Sequence, residues 1–312
     1  MKINLQKKKM DKHKLKVKWK KIKEDKVLYL MLLLPIIYFI IFHLIPLAGM
    51  SLAFQDYRII GDNVFVGLKH FKTLFSSASF FHVLKNTIII STMKIVFFFP
   101  IPIIFSLLIN EVKSIKFRKY VQSVVYLPHF LSWVVITGIW IKLLSPASGG
   151  VNNILNIFSI PSIDFMTSKG YIRWVLVFSE MWRSVGWDSI IYLAAIMRIS
   201  PALYESARID GASRFDEMIH ITIPELTTTI VTVFILNLGF FMNAGFDQVF
   251  NFMNDSVISV IDILDTYVYR IGLINGQYAF ATAASLFKGV IGIMLIFTTH
   301  FLAKKISGKG LW

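Results

Sequence analysis

Six apolar runs, each long enough to cross a membrane as a helix, constrain this chain more than any other feature of its sequence. A bilayer core is about 30 Å thick, so a crossing helix needs about 20 mostly apolar residues. The chain of 312 residues is 55% hydrophobic and only 16% charged, whereas soluble domains carry about 25% charged residues. We predict an all-α integral membrane protein whose six transmembrane helices lie near residues 27–53, 86–109, 121–144, 171–197, 226–246 and 285–303.

The first apolar run, at residues 27–54, predicts a retained span rather than a cleaved signal. A cleavable signal has an apolar core of about 7–15 residues followed by an A-x-A-like site, and this run is longer and has no such site. Prolines interrupt both this run and the second one. Because proline breaks the hydrogen-bond pattern of a helix, we predict kinks at Pro35, Pro46, Pro100 and Pro102.

The basic charge of the chain is concentrated at one end. The net charge is +15, and residues 1–26 hold twelve lysines against three acidic residues, so nine of the fifteen net charges lie in this tail. A lysine-rich tail before a first span is typical of a topology signal that contacts anionic lipid headgroups. The alternative is RNA binding, but no RNA-binding signature accompanies the tail. We predict no nucleic-acid partner, a basic cytoplasmic tail at 1–26 and a single transmembrane domain at 27–312.

Lysine and arginine residues between the spans predict the orientation. The tail, the segments after spans 2 and 4, and the C-terminal end together hold 22 of the 33 basic residues. Because basic residues accumulate in cytoplasmic segments, we expect both termini in the cytoplasm, which requires an even number of spans and fits six. The expected location is the plasma membrane of a bacterial cell.

Three segments on the outer side, at about residues 54–85, 145–170 and 247–284, mix polar with aromatic or aliphatic residues. Two interpretations stay open. They form short re-entrant or interfacial helices that cap the bundle, or they form a docking surface for an external partner.

The segment between spans 4 and 5, at residues 198–225, is longer than a chain reversal requires and carries helix-capping signals. Ser200 and Pro201 are typical of a helix start, and Gly211 can adopt the left-handed conformation that ends a helix. The stretch 213–216 has a capping-box pattern that starts a second helix. We predict two short helices joined by a glycine, lying across the cytoplasmic ends of spans 4 and 5.

A protein partner outside the membrane is the functional interpretation of this segment. Ala207 and Gly211 are four residues apart, so another surface could approach the backbone there, and Glu205 offers a carboxylate. Ile221 and Ile223 would hold the far end against the bundle. The alternative is a helix pair that floats among lipid headgroups. Such helices need a continuous apolar stripe, and charged residues interrupt this one: Glu205, Arg208, Asp210, Arg214, Asp216 and Glu217.

The spacing Glu-Ser-Ala-x3-Gly-x9-Ile-x-Ile-Pro resembles the EAA loop, E-A-A-x3-G-x9-I-x-L-P, of permeases in binding-protein-dependent ABC importers. The matching positions are Glu205, Ser206 in place of alanine, Ala207, Gly211, Ile221, Ile223 in place of leucine, and Pro224. Other stretches resemble the carbohydrate-uptake branch and, within it, the LplB/YtcP-like sugar permeases of Gram-positive bacteria. Among them are residues 110–112, 126–129, 265–273 and 310–312.

This resemblance implies a permease subunit coupled to a separate motor. The helix at 205–211 would insert into a groove of a cytoplasmic ATPase, whose closure would rock the permease pair between inward- and outward-facing states. The chain would hold no cofactor and would not be an enzyme, because Mg-ATP binds the ATPase. The implied complex adds a second, homologous permease in a heterodimer, two ATPase subunits and a lipid-anchored extracellular solute-binding protein.

Polar residues in spans 4 and 5 are the candidates for the substrate path. Charged residues in membrane helices are costly and usually pair or face a cavity, and tryptophan rings could stack against sugar rings. The alternative is a structural ion pair of Arg183 with Glu180 or Asp188, with interfacial tryptophans and asparagines that bond neighbouring helices. Lys94 and Lys288 are interpreted as partnered or snorkelling rather than as ligands. The candidates are Glu180, Trp182, Arg183, Trp187, Asp188, Asn237, Asn243 and Asp247.

The sequence contains no motif for ATP hydrolysis or covalent catalysis. It has no G-x-x-x-x-G-K-[ST] phosphate loop, no H-E-x-x-H and no G-x-S-x-G. It has no cysteine, which excludes disulfides, thiolate metal sites and cysteine nucleophiles. The alternatives to a sugar permease are the same kind of permease for amino acids or peptides, an ion-coupled secondary transporter, and a membrane enzyme acting on lipid-linked sugar. Inverted repeats with broken helices would favour the secondary transporter. A cluster of carboxylates or histidines at one membrane interface would favour the membrane enzyme.

Overall fold

The computed structural model describes residues 25–307, most of which are helical. The predicted basic tail lies almost wholly outside the described residues, as do residues 308–312. In chain order the α-helices are α1 (Lys26–Phe39), α2 (Ile45–Ala48), α3 (Lys69–Ser76), α4 (Ala78–Met93), α5 (Pro100–Glu111), α6 (Ile115–Tyr126), α7 (Trp133–Leu143), α8 (Gly150–Ile157), α9 (Ile172–Ile196), α10 (Pro201–Ile209), α11 (Arg214–Glu217), α12 (Ile223–Gly239), α13 (Phe246–Phe252), α14 (Ile258–Ile261), α15 (Leu264–Tyr269) and α16 (Tyr278–Ser307).

Several of these helices join into segments that are long and apolar enough to cross a membrane. Within residues 25–307 there are four, or five if the bent pair Ile115–Phe130 and Trp133–Leu143 is one span. Helix α9 has 25 residues, about 37 Å at 1.5 Å per residue, but every stretch of 18 residues in it contains Glu180, Arg183 and Asp188. Charge rather than length therefore sets α9 apart from the four continuous segments, which are Lys26–Phe54, Ala78–Glu111, Arg214–Gly239 and Tyr278–Phe301.

The helix boundaries agree with the sequence prediction most closely for spans 1 and 4, where each end lies within one residue of the predicted one. The helices of spans 2 and 6 begin eight and seven residues earlier than predicted. Helix α4 starts where the Ser77 hydroxyl accepts a hydrogen bond from the Phe80 amide at 3.4 Å. Capping therefore determines this helix start, whereas hydropathy marks only the apolar part. The helix of span 5 ends at Gly239, seven residues earlier than predicted.

The predicted third span, at 121–144, is wrong as a continuous helix. The chain bends by 107° between Phe130 and Trp133. Pro128 lies in a 3-10 turn at the bend, and the Ser132 hydroxyl then accepts from the Val135 amide to start α7. A proline followed by a fresh N-cap ends one helix and begins another, which hydropathy alone cannot show.

Two π-helical turns, Ile40–Leu44 and Lys94–Phe98, lie next to two of the predicted proline kinks. Each is followed two residues later by a proline, Pro46 or Pro100. In the second turn the Phe99 amide donates to the Lys94 carbonyl at 3.3 Å, so helical hydrogen bonding continues up to the residue that lacks an amide hydrogen. The prolines therefore coincide with wide turns inside continuous spans.

Buried apolar side chains form clusters among spans 2, 4, 5 and 6. The first span contributes little: none of its apolar window is buried, and its last turn, Gly49–Phe54, packs against α16. The largest cluster joins α4 and α9 to the short helices that follow span 5. Its buried members are Ile90, Leu144, Ile172, Val175, Leu176, Ala244, Val249, Phe252, Val257, Ile261 and Ile263.

The outer segments contain short helices, as the first of the two interpretations expects. Helices α3 and α8 lie in the first two segments, and α13, α14 and α15 in the third. A small hairpin that the all-α prediction missed pairs β1 (Gln55–Asp56) with β2 (Val64–Phe65) in antiparallel register. The docking surface for an external partner stays a prediction.

Candidate functional site

The segment between spans 4 and 5 begins with α10, which starts and stops where the sequence predicts. Pro201 occupies the first turn, although the Ser200 side chain makes no capping hydrogen bond. Gly211 adopts φ +85°, and the Ala212 amide donates to the Ala207 carbonyl at 2.9 Å. This is the left-handed glycine cap of the Schellman type. Gly211 thus lies just past the end of the helix and terminates it, as predicted.

The second half of the segment differs from the predicted second short helix. The capping box is present, since the Ser213 amide donates to Asp216 Oδ2 at 2.9 Å and the Asp216 amide donates to Ser213 Oγ at 3.3 Å. The helix that starts there does not stop before span 5, however. It continues through a π turn at Met218–Thr222 into α12. In this wide turn the Ile223 amide donates to the Met218 carbonyl, so helical hydrogen bonding continues up to Pro224, which lacks an amide hydrogen.

Side-chain contacts attach α10 to the base of this long helix. Arg208 Nε and Nη2 donate to the two carboxylate oxygens of Glu217 at 2.6 and 3.2 Å. The Glu217 side chain is buried. Tyr204 Oη and Thr222 Oγ1 lie 2.9 Å apart. Both contacts fix the orientation of α10.

Large apolar side chains on this segment face outward. Ile209 is 86% exposed and Phe215 is 62% exposed, and both lie beside the glycine cap. Apolar patches of this kind on a polar segment mark interaction surfaces. Of the predicted coupling residues, Glu205, Ser206, Gly211, Ile223 and Pro224 are exposed, whereas Ala207 and Ile221 are partly buried.

A cavity of about 590 Å³ lies among spans 2, 4 and 5. It gathers five of the eight predicted substrate-path residues, namely Glu180, Trp187, Asp188, Asn237 and Asn243. The other three, Trp182, Arg183 and Asp247, do not line it. The wall also contains residues from span 2 and from the helix break, which the sequence analysis did not predict as part of the substrate path. They are Ser91, Lys94, Phe98, Phe99 and Trp133.

Lys94 is the main link between the walls of this cavity. Its ammonium group donates to Glu180 Oε2 at 3.2 Å, to the Ala244 carbonyl at 2.8 Å and to Gln248 Oε1 at 2.5 Å. Gly245 is left-handed, and a Cβ there would lie 2.9 Å from Lys94 Nζ. Lys94 is therefore partnered, as predicted, and so is Lys288, which bonds Asp265.

The predicted alternative of an Arg183–Glu180 ion pair is wrong, because Glu180 pairs with Lys94. Arg183 instead lies over Trp133, with its guanidinium carbon 5.0 Å from the ring centroid. His129, from the helix break, stacks on Trp187 with the ring centroids 4.4 Å apart and the planes within 3°. These contacts hold both tryptophan rings at the cavity wall.

The geometry defines a class of protein. Helix α9 lines a polar and aromatic cavity among membrane-spanning segments. Four residues after α9 ends, the chain enters α10, a capped helix with exposed apolar side chains beside it. This arrangement is typical of a transport permease.

Comparison with known proteins identifies the family. The chain is 40% identical over 296 residues to the polygalacturonan/rhamnogalacturonan transport system permease protein YteP of Bacillus subtilis (strain 168), covering 94% of this chain and 92% of that protein. It is 38% identical over 294 residues to Protein LplB of the same organism, covering 93% and 92%. A chain in the crystal structure of a bacterial alginate ABC transporter, in complex with alginate pentasaccharide-bound periplasmic protein, matches with a TM-score of 0.87 at 40% identity, covering 94% of this chain and 99% of that one. No family model matches the chain.

The chain belongs to the permease subunits of sugar ABC transporters. This confirms the resemblance that the EAA-type spacing indicated. Permease subunits of such importers are not themselves enzymes, since a partner ATPase hydrolyses the ATP. The long apolar helices fit a multi-pass membrane protein.

Proposed function

We propose that this chain forms one half of the translocation path for an oligosaccharide and is driven by ATP hydrolysis through residues 201–224. The continuity of α9 supports both parts of the proposal. Glu180, Trp187 and Asp188 face the cavity from this helix, and only residues 197–200 separate its end from α10. A force on α10 therefore has a short, rigid route to the cavity.

In this proposal the chain crosses the plasma membrane of a bacterial cell six times, with both termini in the cytoplasm. The bent pair at Ile115–Phe130 and Trp133–Leu143 supplies one crossing and α9 another, in addition to the four continuous segments. Charges in α9 are tolerated because Glu180 is paired and the others lie at or near the cavity. The distribution of basic residues supports this orientation.

The proposed complex contains a second, homologous permease subunit, two cytoplasmic ATPase subunits that bind Mg-ATP, and a lipid-anchored extracellular solute-binding protein. The solved structure with a periplasmic protein supports the presence of a binding-protein partner. The Ile209 and Phe215 side chains would insert into the ATPase surface, with Glu205 as a polar contact.

An oligosaccharide fits the cavity better than an apolar solute. The lining combines aromatic rings with a few carboxylate, hydroxyl and amide groups, the mixture that orients a hydroxyl-rich ligand in a largely apolar pocket. YteP and the alginate transporter are named for polysaccharides, which supports the same class of cargo.

Uptake by proteoliposomes tests this function. We expect the purified complex to import members of a mixed pool of neutral and acidic oligosaccharides, identified by mass spectrometry, when Mg-ATP and the binding protein are both present. Because ATP drives the transport, uptake should persist when an ionophore removes all ion gradients. Uptake that needs no ATP and disappears with the ion gradient would show a secondary transporter instead.

A further inference from the structure

One carboxylate in the cavity, that of Asp188, makes no hydrogen bond or ion pair with the residues that the structure describes. Among residues 25–307 no hydrogen bond or ion pair to its side chain lies within 4.0 Å, yet Asp188 lines the cavity from the middle of α9. An ionisable group inside a membrane-spanning helix is costly unless it pairs or binds a ligand. Asp188 is therefore available as a hydrogen-bond acceptor for whatever enters.

A second polar group in the same wall lacks a protein partner. Ser91 is 4% exposed and its hydroxyl is buried without a hydrogen bond. Ser91 lies one helical turn before Lys94 and lines the same cavity as Asp188. Because buried hydroxyl groups are nearly always hydrogen-bonded, this group also points to a polar ligand.

Among the described residues, the cavity lining offers no unpaired cation to an acidic ligand. Lys94 already donates to three acceptors, one of which is the Glu180 carboxylate. Arg183 does not line the cavity, and its guanidinium lies over Trp133. The charged lining residues are thus one ammonium and two carboxylates, with a net formal charge of −1.

We infer that this half of the path selects neutral, hydroxyl-rich oligosaccharides, with Asp188 and Ser91 bonding sugar hydroxyls, and that it repels uronates. The inference rests on the proposed function, since the sugar must pass through this cavity. Trp133 and Trp187 supply flat apolar faces for the rings, and Asp188, next to Trp187, accepts from the hydroxyls at the ring edge. Alginate, which the structurally similar transporter imports, is an acidic polysaccharide. The inference therefore predicts that the two transporters differ in the charge of the sugar that they carry.

Competition between an acidic trisaccharide and its neutral ester tests the inference. Trigalacturonate and its neutral methyl ester are supplied together to the full importer in proteoliposomes, and the uptake ratio is compared between variants. The preference of the binding protein is the same for every variant and cancels. Removing the charge in Asp188→Asn should raise the ratio of acidic to neutral uptake by about tenfold, because a like charge within a few ångströms is removed from a low-dielectric cavity.

Asp255→Asn is the matched control, since it removes the same charge from an exposed side chain outside the cavity; its ratio should equal that of the wild type. Asp188→Ser gives a second test if the asparagine variant does not assemble, and should change the ratio in the same direction. An unchanged or lowered ratio in the assembled Asp188 variants would overturn the inference. A wild type that imports no oligosaccharide with ATP would instead refute the proposed function, and the inference would fall with it.

Discussion

Replacing Glu217 by arginine is expected to uncouple ATP hydrolysis from the arrival of substrate. The Glu217 carboxylate is buried and binds Arg208 at two points, so the variant places two guanidinium groups against each other. Arg208 is largely exposed, whereas position 217 is buried, so the variant buries a cation that has no compensating partner, and α10 loses its attachment to the base of α12. We expect the stimulation of ATP hydrolysis by ligand-loaded binding protein to fall by about tenfold or more, within the usual range of coupling between sites.

Two variants separate this effect from a general effect of charge. Glu225→Arg makes the same change at an exposed position in the first turn of α12 and should retain the stimulation. The double variant Arg208→Glu/Glu217→Arg restores opposite charges and should recover part of it. Full stimulation in the Glu217→Arg single variant would show that this ion pair does not transmit the signal.

Adding one methyl group at Gly186 should destabilise the membrane bundle. Helix α9 approaches α6 so closely here that a Cβ would lie 2.5 Å from Tyr126 Cδ1 and 2.6 Å from the Val125 carbonyl oxygen. A side-chain atom could move aside, but the backbone oxygen belongs to α6 and cannot move alone. We expect Gly186→Ala to cost about 2–3 kcal/mol, the upper part of the range for overpacked cores, seen as a melting temperature several degrees lower in detergent.

The control is Gly289→Ala, in α16, where a Cβ would meet no atom within 4 Å. Alanine normally favours a helix over glycine by about 1 kcal/mol, so this variant should be as stable as the wild type or more stable. A Gly186→Ala protein with an unchanged melting temperature would show that α6 and α9 can separate without cost.

Local sequence signals predicted the parts of the molecule that depend on local chemistry. Gly211 was expected to be left-handed because glycine adopts positive φ without strain, and it does. The capping box at Ser213 also forms as predicted. The EAA-type spacing predicted the family because the relevant positions lie within twenty consecutive residues.

Contacts between distant residues could not be read from the sequence in the same way. Lys94 and Glu180 are 86 positions apart, so the sequence offered the nearer Arg183 as the partner of Glu180. The break after Pro128 was missed because its flanking residues are as apolar as a continuous span. The sequence does not predict a role for Ser91, because a single serine in an apolar helix forms no recognisable motif. The structure shows that Ser91 lines the cavity and that its hydroxyl makes no hydrogen bond with the described residues.

Cross-linking from α10 tests most directly whether residues 201–224 bind the ATPase. The chain has no cysteine, so Ile209→Cys, at a side chain that is 86% exposed, provides a single attachment point for a maleimide–benzophenone reagent. Ile60→Cys, 91% exposed in the loop of the hairpin, on the side that we propose faces outward, is the control. We predict that illumination joins the Ile209→Cys permease to the ATPase subunit and that the Ile60→Cys permease gives no such product. An ATPase adduct formed from position 60, or none from position 209, would contradict the proposed coupling.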